Sequence, residues 1–472
     1  MPTRILLPLI VACALFMENL DSTVLSTALP SIAADFGANP IHLKLALTSY
    51  LLSLAVFIPT SGWLADRYGA RTIFRLAIIT FTAGSIACGF SNSMVELILA
   101  RILQGLGGAM MVPVGRLVIL RSVPKHELIG SMAWLSMPAL LGPVMGPPLG
   151  GFIVTYFHWR WIFWINIPVG ILGFVLASLY IPAIYGDRRV PFDTSGFFLS
   201  AIGLSALVTG STTLGMDLLP PTVTWSLLTI GLLLIVLYIR HSRRIEAPIL
   251  DLSLFKIPTF RYALAGASLF RIGVGAIPFL LPLFLQLGFG MTPFHSGLIT
   301  FASAAGALFM KALAPPILRR FGFRQTLLVN SFLGAIFIAM PAVFSADTPV
   351  VLMFALILGG GFFRSLQFTA VSALSFADVP LEKMSRATTL TSVCQQIALS
   401  LGVSLGAMSL EATMHFTGEA LGADSFWPAF LLVSTVAITS VLPLIKLPAG
   451  AGQEMSGHRQ LAPDPVTIMR ER

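Results

Sequence analysis

Apolar segments of about 20 residues recur along this chain, separated by short polar turns. A helix needs about 20 apolar residues to cross the hydrocarbon core of a bilayer. Only 10% of the 472 residues are charged and the mean hydropathy is +0.88, whereas soluble proteins carry about 25% charged residues. The chain is therefore expected to be an all-α polytopic membrane protein. Fourteen spans are predicted, at approximately 5–29, 43–63, 72–92, 95–118, 130–154, 161–182, 196–216, 223–239, 261–287, 295–316, 326–345, 349–374, 387–412 and 427–446.

Basic residues are distributed unequally between the two sides that these spans define. Of the 29 Lys and Arg residues, 22 fall in loops and tails on the side of the termini, whereas Lys44 and Arg160 fall on the other side. Cytoplasmic loops carry an excess of Lys and Arg. Both termini are therefore predicted to be cytoplasmic. The net charge of +9 is attributed to attraction by an anionic leaflet of the lipid bilayer, and no nucleic-acid partner is expected.

Two loops have similar sequences. The segment GWLADRYGARTIF at 62–74 matches PPILRRFGFRQTL at 315–327 when the two are offset by 253 residues. Internal repeats are typical of transporters that bind their substrate between two related halves. The match predicts a duplicated bundle, with Arg67, Gly69 and Arg71 equivalent to Arg320, Gly322 and Arg324.

Six motifs between residues 20 and 197 resemble those of a known transporter family. They are LDSTVLSTALP at 20–30, GWLADRYGAR at 62–71, LARILQGLGGAMMVP at 99–113, GPVMGPPLGG at 142–151, WRWIFWINIPVG at 159–170 and FDTSGF at 192–197. In these motifs the chain resembles the major facilitator superfamily, and in particular its fourteen-helix drug:proton antiporters of the EmrB/QacA kind. Segments 107–117 and 271–298 are most similar to the MdtD-type members.

The resemblance implies a major facilitator fold with two six-helix bundles, at 1–183 and 261–447. Two extra helices lie between them at 184–260, and a cytoplasmic tail at 448–472 is expected to be disordered. The implied function is proton-coupled export of small molecules (multidrug efflux) across the bacterial cytoplasmic membrane by alternating access. We expect a monomer that is driven by the proton gradient without a cofactor or a metal.

Enzymatic activity is not expected. The sequence has no phosphate-binding Walker loop and no Gly-x-Ser-x-Gly nucleophile motif. The three cysteines, Cys13, Cys88 and Cys394, have no spacing that is typical of a disulfide framework or a metal site.

Two carboxylates, Glu18 and Asp21, interrupt the first apolar segment. They are three residues apart on one helix face, and neighbouring carboxylates at low dielectric do not both ionise cheaply. Arg101 stays protonated and lies on the fourth span, so it can pair with Asp21 or release it. The resemblance implies proton coupling by Asp21 and Arg101; a static pair that only orders the bundle is the alternative. Glu18 is a candidate for proton coupling or substrate binding, or an incidental polar position.

Small residues recur every fourth position in the fifth span. Such a stripe allows another helix to approach closely, and prolines bend the span. The resemblance implies an antiporter motif whose close contact seals one conformation, formed by Gly142, Pro143, Gly146, Pro147, Gly150 and Gly151.

The family motif at 62–71 lies in the loop after the second span. A solvated turn would explain it, but the resemblance implies a charge latch that biases the conformational equilibrium, formed by Gly62, Asp66, Arg67, Gly69 and Arg71.

Further basic residues fall inside or at the ends of predicted spans. Because of them, the sequence does not decide between a cationic and an anionic substrate. Cationic drugs require an acidic cavity, whereas the excess of buried bases favours an organic anion or a metal-carboxylate chelate of the citrate kind. Multidrug export is the first expectation and anion export the alternative. The basic candidates for substrate binding are Arg271, Lys311, Arg364 and Arg116.

Overall fold

The computed structural model describes residues 3–123, 128–183, 185, 191–214, 218–448 and 450–453, and the regular elements within these ranges are all helices. The α-helices are α1 Thr3–Phe36, α2 Lys44–Tyr68, α3 Ala70–Phe90, α4 Met94–Ser122, α5 Leu128–Tyr156, α6 Trp161–Trp164, α7 Asn166–Tyr180, α8 Thr194–Thr213, α9 Pro221–Ser242, α10 Pro258–Leu283, α11 Pro293–Ala339, α12 Val350–Phe376, α13 Met384–Thr417, α14 Trp427–Ile438 and α15 Val441–Ile445.

In the described part of the chain, twelve helical segments are long and apolar enough to cross a membrane. The all-helical, multi-pass architecture predicted from the apolar segments is therefore confirmed, whereas the count of fourteen spans stays a prediction. Two features account for the difference. The 29-residue α5 is not among the twelve, and the predicted spans 295–316 and 326–345 form the single 47-residue element α11.

Each of the two similar loops contains a glycine with positive φ. Gly69 separates α2 from α3 at φ 92°, and Gly322 lies inside α11 at φ 70°, where the helix is interrupted. Glycine adopts positive φ without the steric penalty that other residues meet. Arg71 donates to the carbonyl of Ser178 near the end of α7, and Arg324 donates to the carbonyl of Ile445 at the end of α15 (2.9 Å). The equivalence predicted from the sequence thus extends to matching tertiary contacts.

The two bundles meet at the ends of the helices that lie away from Gly69 and Gly322. Lys44, at the start of α2, pairs with Glu411 near the end of α13 at 3.4 Å. The Gln286 amide donates to the carbonyl of Thr27 at 3.0 Å. The backbone N–H of Phe294 donates to Thr155 Oγ1, also at 3.0 Å. Lys44, counted above as a loop base, is in fact fully buried in this interface.

The glycine stripe of α5 packs against α1. A methyl group added at Gly142 would lie 2.9 Å from Asn19 Cβ, and one added at Gly146 would overlap Thr23. The close helix approach predicted from the small residues is therefore present in the structure. Gly151, at the end of the stripe, faces Pro293 of the second bundle instead. The part that this stripe plays in export stays a prediction.

Some predicted features lie outside the described residues. They are residues 449 and 454–472 of the predicted tail at 448–472, and the basic positions Lys125, Arg188 and Arg189.

Gly146→Ala is expected to destabilise the protein by about 1–3 kcal/mol, because the added methyl group must displace Thr23 of α1. Thermal unfolding of the purified protein in detergent measures the effect. Gly173→Ala is the matched control, since a methyl group there meets only Ile78 Cδ1 at 3.7 Å. Equal melting temperatures of the two variants would contradict the close packing of α1 on α5.

Candidate functional site

Asp21 lies in the middle of α1 and is 3% exposed. Its Oδ2 accepts a hydrogen bond from Arg101 Nη1 at 2.5 Å. Its Oδ1 accepts from Gln104 Nε2 at 2.8 Å and from Asn166 Nδ2 at 3.0 Å. Both carboxylate oxygens are thus bound by donors from α4 and α7, and the structure brings together Asp21 and Arg101 as the sequence predicted.

Arg101 is fully buried and is held on several sides. It donates to Gln104 Oε1 at 2.7 Å and to the carbonyl of Ala46 in α2 at 3.3 Å. Its Cζ lies 4.2 Å from the centre of the Tyr50 ring, which is within the range of a cation–π interaction. Since Arg101 and Gln104 are three residues apart on α4, both side chains point to the same face.

Asn166 extends the network to α3. Its amide donates to Ser85 Oγ at 2.9 Å, and Ser85 in turn donates to the carbonyl of Phe163 at 2.9 Å. Helices α1, α2, α3, α4 and α7 therefore meet at one buried polar cluster. We call Asp21, Arg101, Gln104, Asn166 and Ser85 the Asp21 network.

Both carboxylate oxygens of Asp21 act as acceptors in the Asp21 network. An ionised carboxylate only accepts hydrogen bonds, whereas a protonated one donates at one oxygen. If Asp21 takes up a proton, Arg101 is left buried without the negative charge that balances it, which costs several kcal/mol. Protonation must therefore rearrange the network or be accompanied by movement of Arg101.

Glu18 lies one turn before Asp21 but is not hydrogen-bonded to its network in the described part of the chain. Its side chain and the Tyr50 hydroxyl both lie next to Gly108 of α4. Glu18 Oε2 and Tyr50 Oη are buried and have no hydrogen-bond partner among the described residues. The positive charge of Arg116, whose side chain is exposed, acts on Glu18. The two carboxylates thus have different environments.

A cavity of about 130 Å³ lies between the two bundles. Thr23 and Ser26 of α1 and the antiporter-motif prolines Pro143 and Pro147 of α5 line it from the first bundle. The second bundle contributes Ile277, Pro278, Ser303, Lys311 and Arg364, among others. Among the described residues, the lining thus contains two cationic side chains and no carboxylate.

The predicted basic candidates do not form one cluster. Lys311 and Arg364 share the inter-bundle cavity, whereas Arg271 does not line it. Arg271 is 3% exposed, and its Cζ lies 5.2 Å from the centre of the Phe368 ring. Its Nε and Nη1 have no hydrogen-bond partner among the described residues. Arg116 lies in the first bundle beside Glu18.

The predicted loop motif lies away from the cavity. Asp66 pairs with Arg121 of α4 at 2.7 Å, and both side chains are about one-third exposed. Gly62 is exposed on α2, and Arg67 lies on the same helix near Gly69. The Asp66 pair joins α2 to α4 within one bundle, so it does not touch either charged site.

Three residues of the Asp21 network, Gln104, Asn166 and Ser85, were not predicted as site residues from the sequence. Gln104 and Asn166 lie in the motifs at 99–113 and 159–170, but a neutral amide inside an apolar segment does not by itself indicate a functional site. The Lys44–Glu411 pair joins residues 367 positions apart, and no local pattern indicates such a contact.

Comparison with known proteins agrees with this architecture. The family model described as "Major Facilitator Superfamily" matches residues 11–403. The chain belongs to the major facilitator superfamily. It is 40% identical over 448 residues to "Putative multidrug resistance protein MdtD" of Pectobacterium carotovorum, covering 93% of both proteins. It is 41% identical over 406 residues to the protein of that name from Escherichia coli O7:K1, covering 85% of both.

Two solved structures share the fold. A D-xylose–proton symporter superimposes with a TM-score of 0.67 at 16% identity, covering 95% of this chain and 98% of that protein. The inward-open form of the xylose transporter XylE from E. coli gives a TM-score of 0.62 at 15% identity, covering 93% and 95%. The predicted family, MdtD-type similarity and multi-pass membrane location in a bacterial inner membrane are therefore confirmed. This superfamily member is a transporter and not an enzyme.

Asp21→Ala is expected to destabilise the protein by about 3–5 kcal/mol, because it leaves Arg101 buried without its carboxylate. Adding Arg101→Met to Asp21→Ala should restore much of the lost stability, since no unpaired charge then remains. Thermal unfolding in detergent measures both variants.

Asp66→Ala provides the comparison for this experiment, because it breaks an ion pair that is about one-third exposed and worth about 0–1 kcal/mol. A double variant that is less stable than Asp21→Ala would contradict the electrostatic account of the network.

Proposed function

We propose that this transporter is a proton-coupled antiporter that exports small molecules by alternating access. The observation that carries the proposal is the Asp21 network, in which one titratable carboxylate holds a buried arginine across several helices. The names of the relatives support multidrug efflux as the physiological class. The energy comes from the proton gradient, and no cofactor is required.

In this proposal, proton uptake by Asp21 weakens its attraction for Arg101, and the network changes its arrangement. The network lies between α1, which packs on α5, and α4, which carries Arg101. A rearrangement there can be transmitted through the α1–α5 contact to Gly151 and Pro293 at the boundary between the bundles. Glu18, close to Tyr50 and Arg116, tunes the charge near Asp21 or contacts substrate.

We further propose fourteen spans with both termini in the cytoplasm. The two arms of α11 on either side of Gly322, together with the 29-residue α5, raise the number of crossing segments from twelve to fourteen. The two six-helix bundles at 1–183 and 261–447 then flank the helices α8 and α9, and the protein works as a monomer.

Asp21→Asn is expected to abolish substrate-dependent proton release from everted vesicles that hold an acid interior, because the amide binds no proton in this pH range. Exchange of labelled for unlabelled substrate in the absence of a gradient should persist, since it needs no net proton transfer. A lipophilic cationic dye is the first substrate to test, with fluorescence of a pH probe as the readout.

Asp347→Asn makes the same change in charge at an exposed turn and is the control. If the Asp21→Asn variant releases as many protons as the Asp347→Asn control, Asp21 does not couple proton movement to transport.

A second candidate function is export of an organic anion, such as a carboxylate metabolite or its metal chelate. The inter-bundle cavity favours it, because its lining holds Lys311 and Arg364 and no carboxylate. An anionic substrate would neutralise these charges, whereas a cationic substrate would be repelled there. The cationic alternative relies on Glu18 instead.

Arg364→Gln is expected to weaken the binding of a transported carboxylate about ten- to hundredfold, because it removes a charge-assisted hydrogen bond worth about 1.5–3 kcal/mol. Arg364→Lys keeps the charge and should retain more of the activity. Uptake of a labelled tricarboxylate into everted vesicles, with and without iron, measures the effect. If Arg364→Gln instead impairs the cationic dye and spares the carboxylate, the anion hypothesis fails.

A further inference from the structure

A second and much larger cavity lies outside the charged sites described above. Its volume is about 1150 Å³, and helices α8, α9 and α13 form its walls together with the segment from Ile245 to Arg261. It shares no lining residue with the inter-bundle cavity. The two extra helices of the fold therefore enclose a separate space against the second bundle.

Basic side chains surround one end of this cavity. Two carboxylates accompany them, Glu246 and Asp251. Arg386 pairs with Asp251 at 3.3 Å, and Lys383 donates to Ser253 Oγ at 3.1 Å. The lining therefore has an excess of three positive charges, with Arg243, Lys256, Arg261, Lys383 and Arg386 as its cations.

Asp251 is one of the two anions in this charge balance, and it is held by its neighbours. Burial alone would raise the pKa of Asp251, but hydrogen bonds from Ser253 and Arg386 and the charge of Lys383 lower it below its ordinary value. Asp251 thus stays ionised and is engaged by Arg386. In the described part of the chain, Arg243 and Lys256 form no ion pair, and both side chains are exposed.

The opposite end of the cavity is apolar. Leu390, Val393 and Ile397 line it from α13, and their spacing of three and four residues places them on one face of that helix. Leu204 of α8 and Ile235 of α9 face them. The cavity therefore has a cationic mouth at the helix ends and an apolar interior along the helices.

The walls of this cavity are held in place by hydrogen bonds. The Tyr238 hydroxyl donates to the carbonyl of Leu250 and accepts from the Leu250 N–H, both at 2.8 Å. Asp193, from the motif at 192–197, caps α8 through Gly196, contacts His241 at 2.8 Å and accepts from the N–H of Ile249 at 3.2 Å. These hydrogen bonds fix α8, α9 and the segment that follows α9 relative to one another.

We propose that this cavity binds an anionic phospholipid of the surrounding bilayer. The phosphate head group pairs with Arg243, Lys256 and their basic neighbours, and one acyl chain lies along Leu390, Val393 and Ile397. Basic pockets between membrane helices on the cytoplasmic side suit anionic head groups. The predicted orientation places the mouth of the cavity on that side, because α9 ends there and α10 and α13 begin there. The lipid fills the space between the two extra helices and the second bundle.

The test uses the full-length protein in detergent and measures its melting temperature as lipid is added. Phosphatidylglycerol should raise the melting temperature at lower concentrations than phosphatidylcholine does. The double variant Arg243→Gln/Lys256→Gln should need about tenfold more phosphatidylglycerol for the same shift. The control Arg320→Gln/Lys446→Gln removes two basic residues that do not line the cavity and should behave as the wild type.

Two further arms identify the ligand. Ile397→Trp narrows the apolar end without a change of charge and should also weaken the effect of phosphatidylglycerol. Glycerol phosphate, which has the phosphate but no acyl chain, should have no effect. Stabilisation by glycerol phosphate as large as that by the lipid would overturn the proposal in favour of a soluble phosphate ligand. An equal lipid response of the cavity and control double variants would overturn it as well. Neither outcome depends on transport, so the proposed antiport is tested separately.

Discussion

The ion pair between Asp21 and Arg101 is the interaction on which the first bundle depends. A fully buried guanidinium is tolerated in an apolar bundle only when a carboxylate and further hydrogen bonds compensate it. Here the carboxylate comes from α1 and the arginine from α4, while α2, α3 and α7 supply a carbonyl, a hydroxyl and an amide. The need to satisfy one charge therefore fixes the mutual position of five helices.

Close backbone approach is the second constraint, and it connects the charge network to the boundary between the bundles. The glycines of α5 allow α1 to lie against it, so that the helix bearing Asp21 and the helix bearing the cavity prolines Pro143 and Pro147 are neighbours. Contacts between bundles, including the Lys44–Glu411 pair, occur at the ends away from Gly69 and Gly322. The contacts of Lys44, Gln286 and Phe294 therefore hold the two bundles together at this end.

Much of this was predictable because charges and glycines are conspicuous inside apolar segments. Asp21 and Arg101 stood out for that reason, and the offset of 253 residues pairs Gly69 with Gly322, both of which have positive φ. Gln104 and Asn166 did not stand out, because a neutral amide is as compatible with packing as with a role in a network. The predicted spans 295–316 and 326–345 are continuous in the structure as α11, which is interrupted only at Gly322. Arg271 and Arg364 were predicted together as substrate-binding residues because they belong to one bundle. Only the tertiary structure shows that Arg364 lines the inter-bundle cavity and Arg271 does not.

The most direct test of the account is infrared difference spectroscopy of the purified protein in lipid as the pH is lowered. A protonated carboxylic acid has a carbonyl stretch that an ionised carboxylate lacks, so the spectrum reports which carboxylate takes up the proton. The account predicts that the band of a buried acid appears in the wild type and in Glu18→Gln and is missing in Asp21→Asn. A band that persists in Asp21→Asn and disappears in Glu18→Gln would contradict it, because the coupling proton would then reside on Glu18.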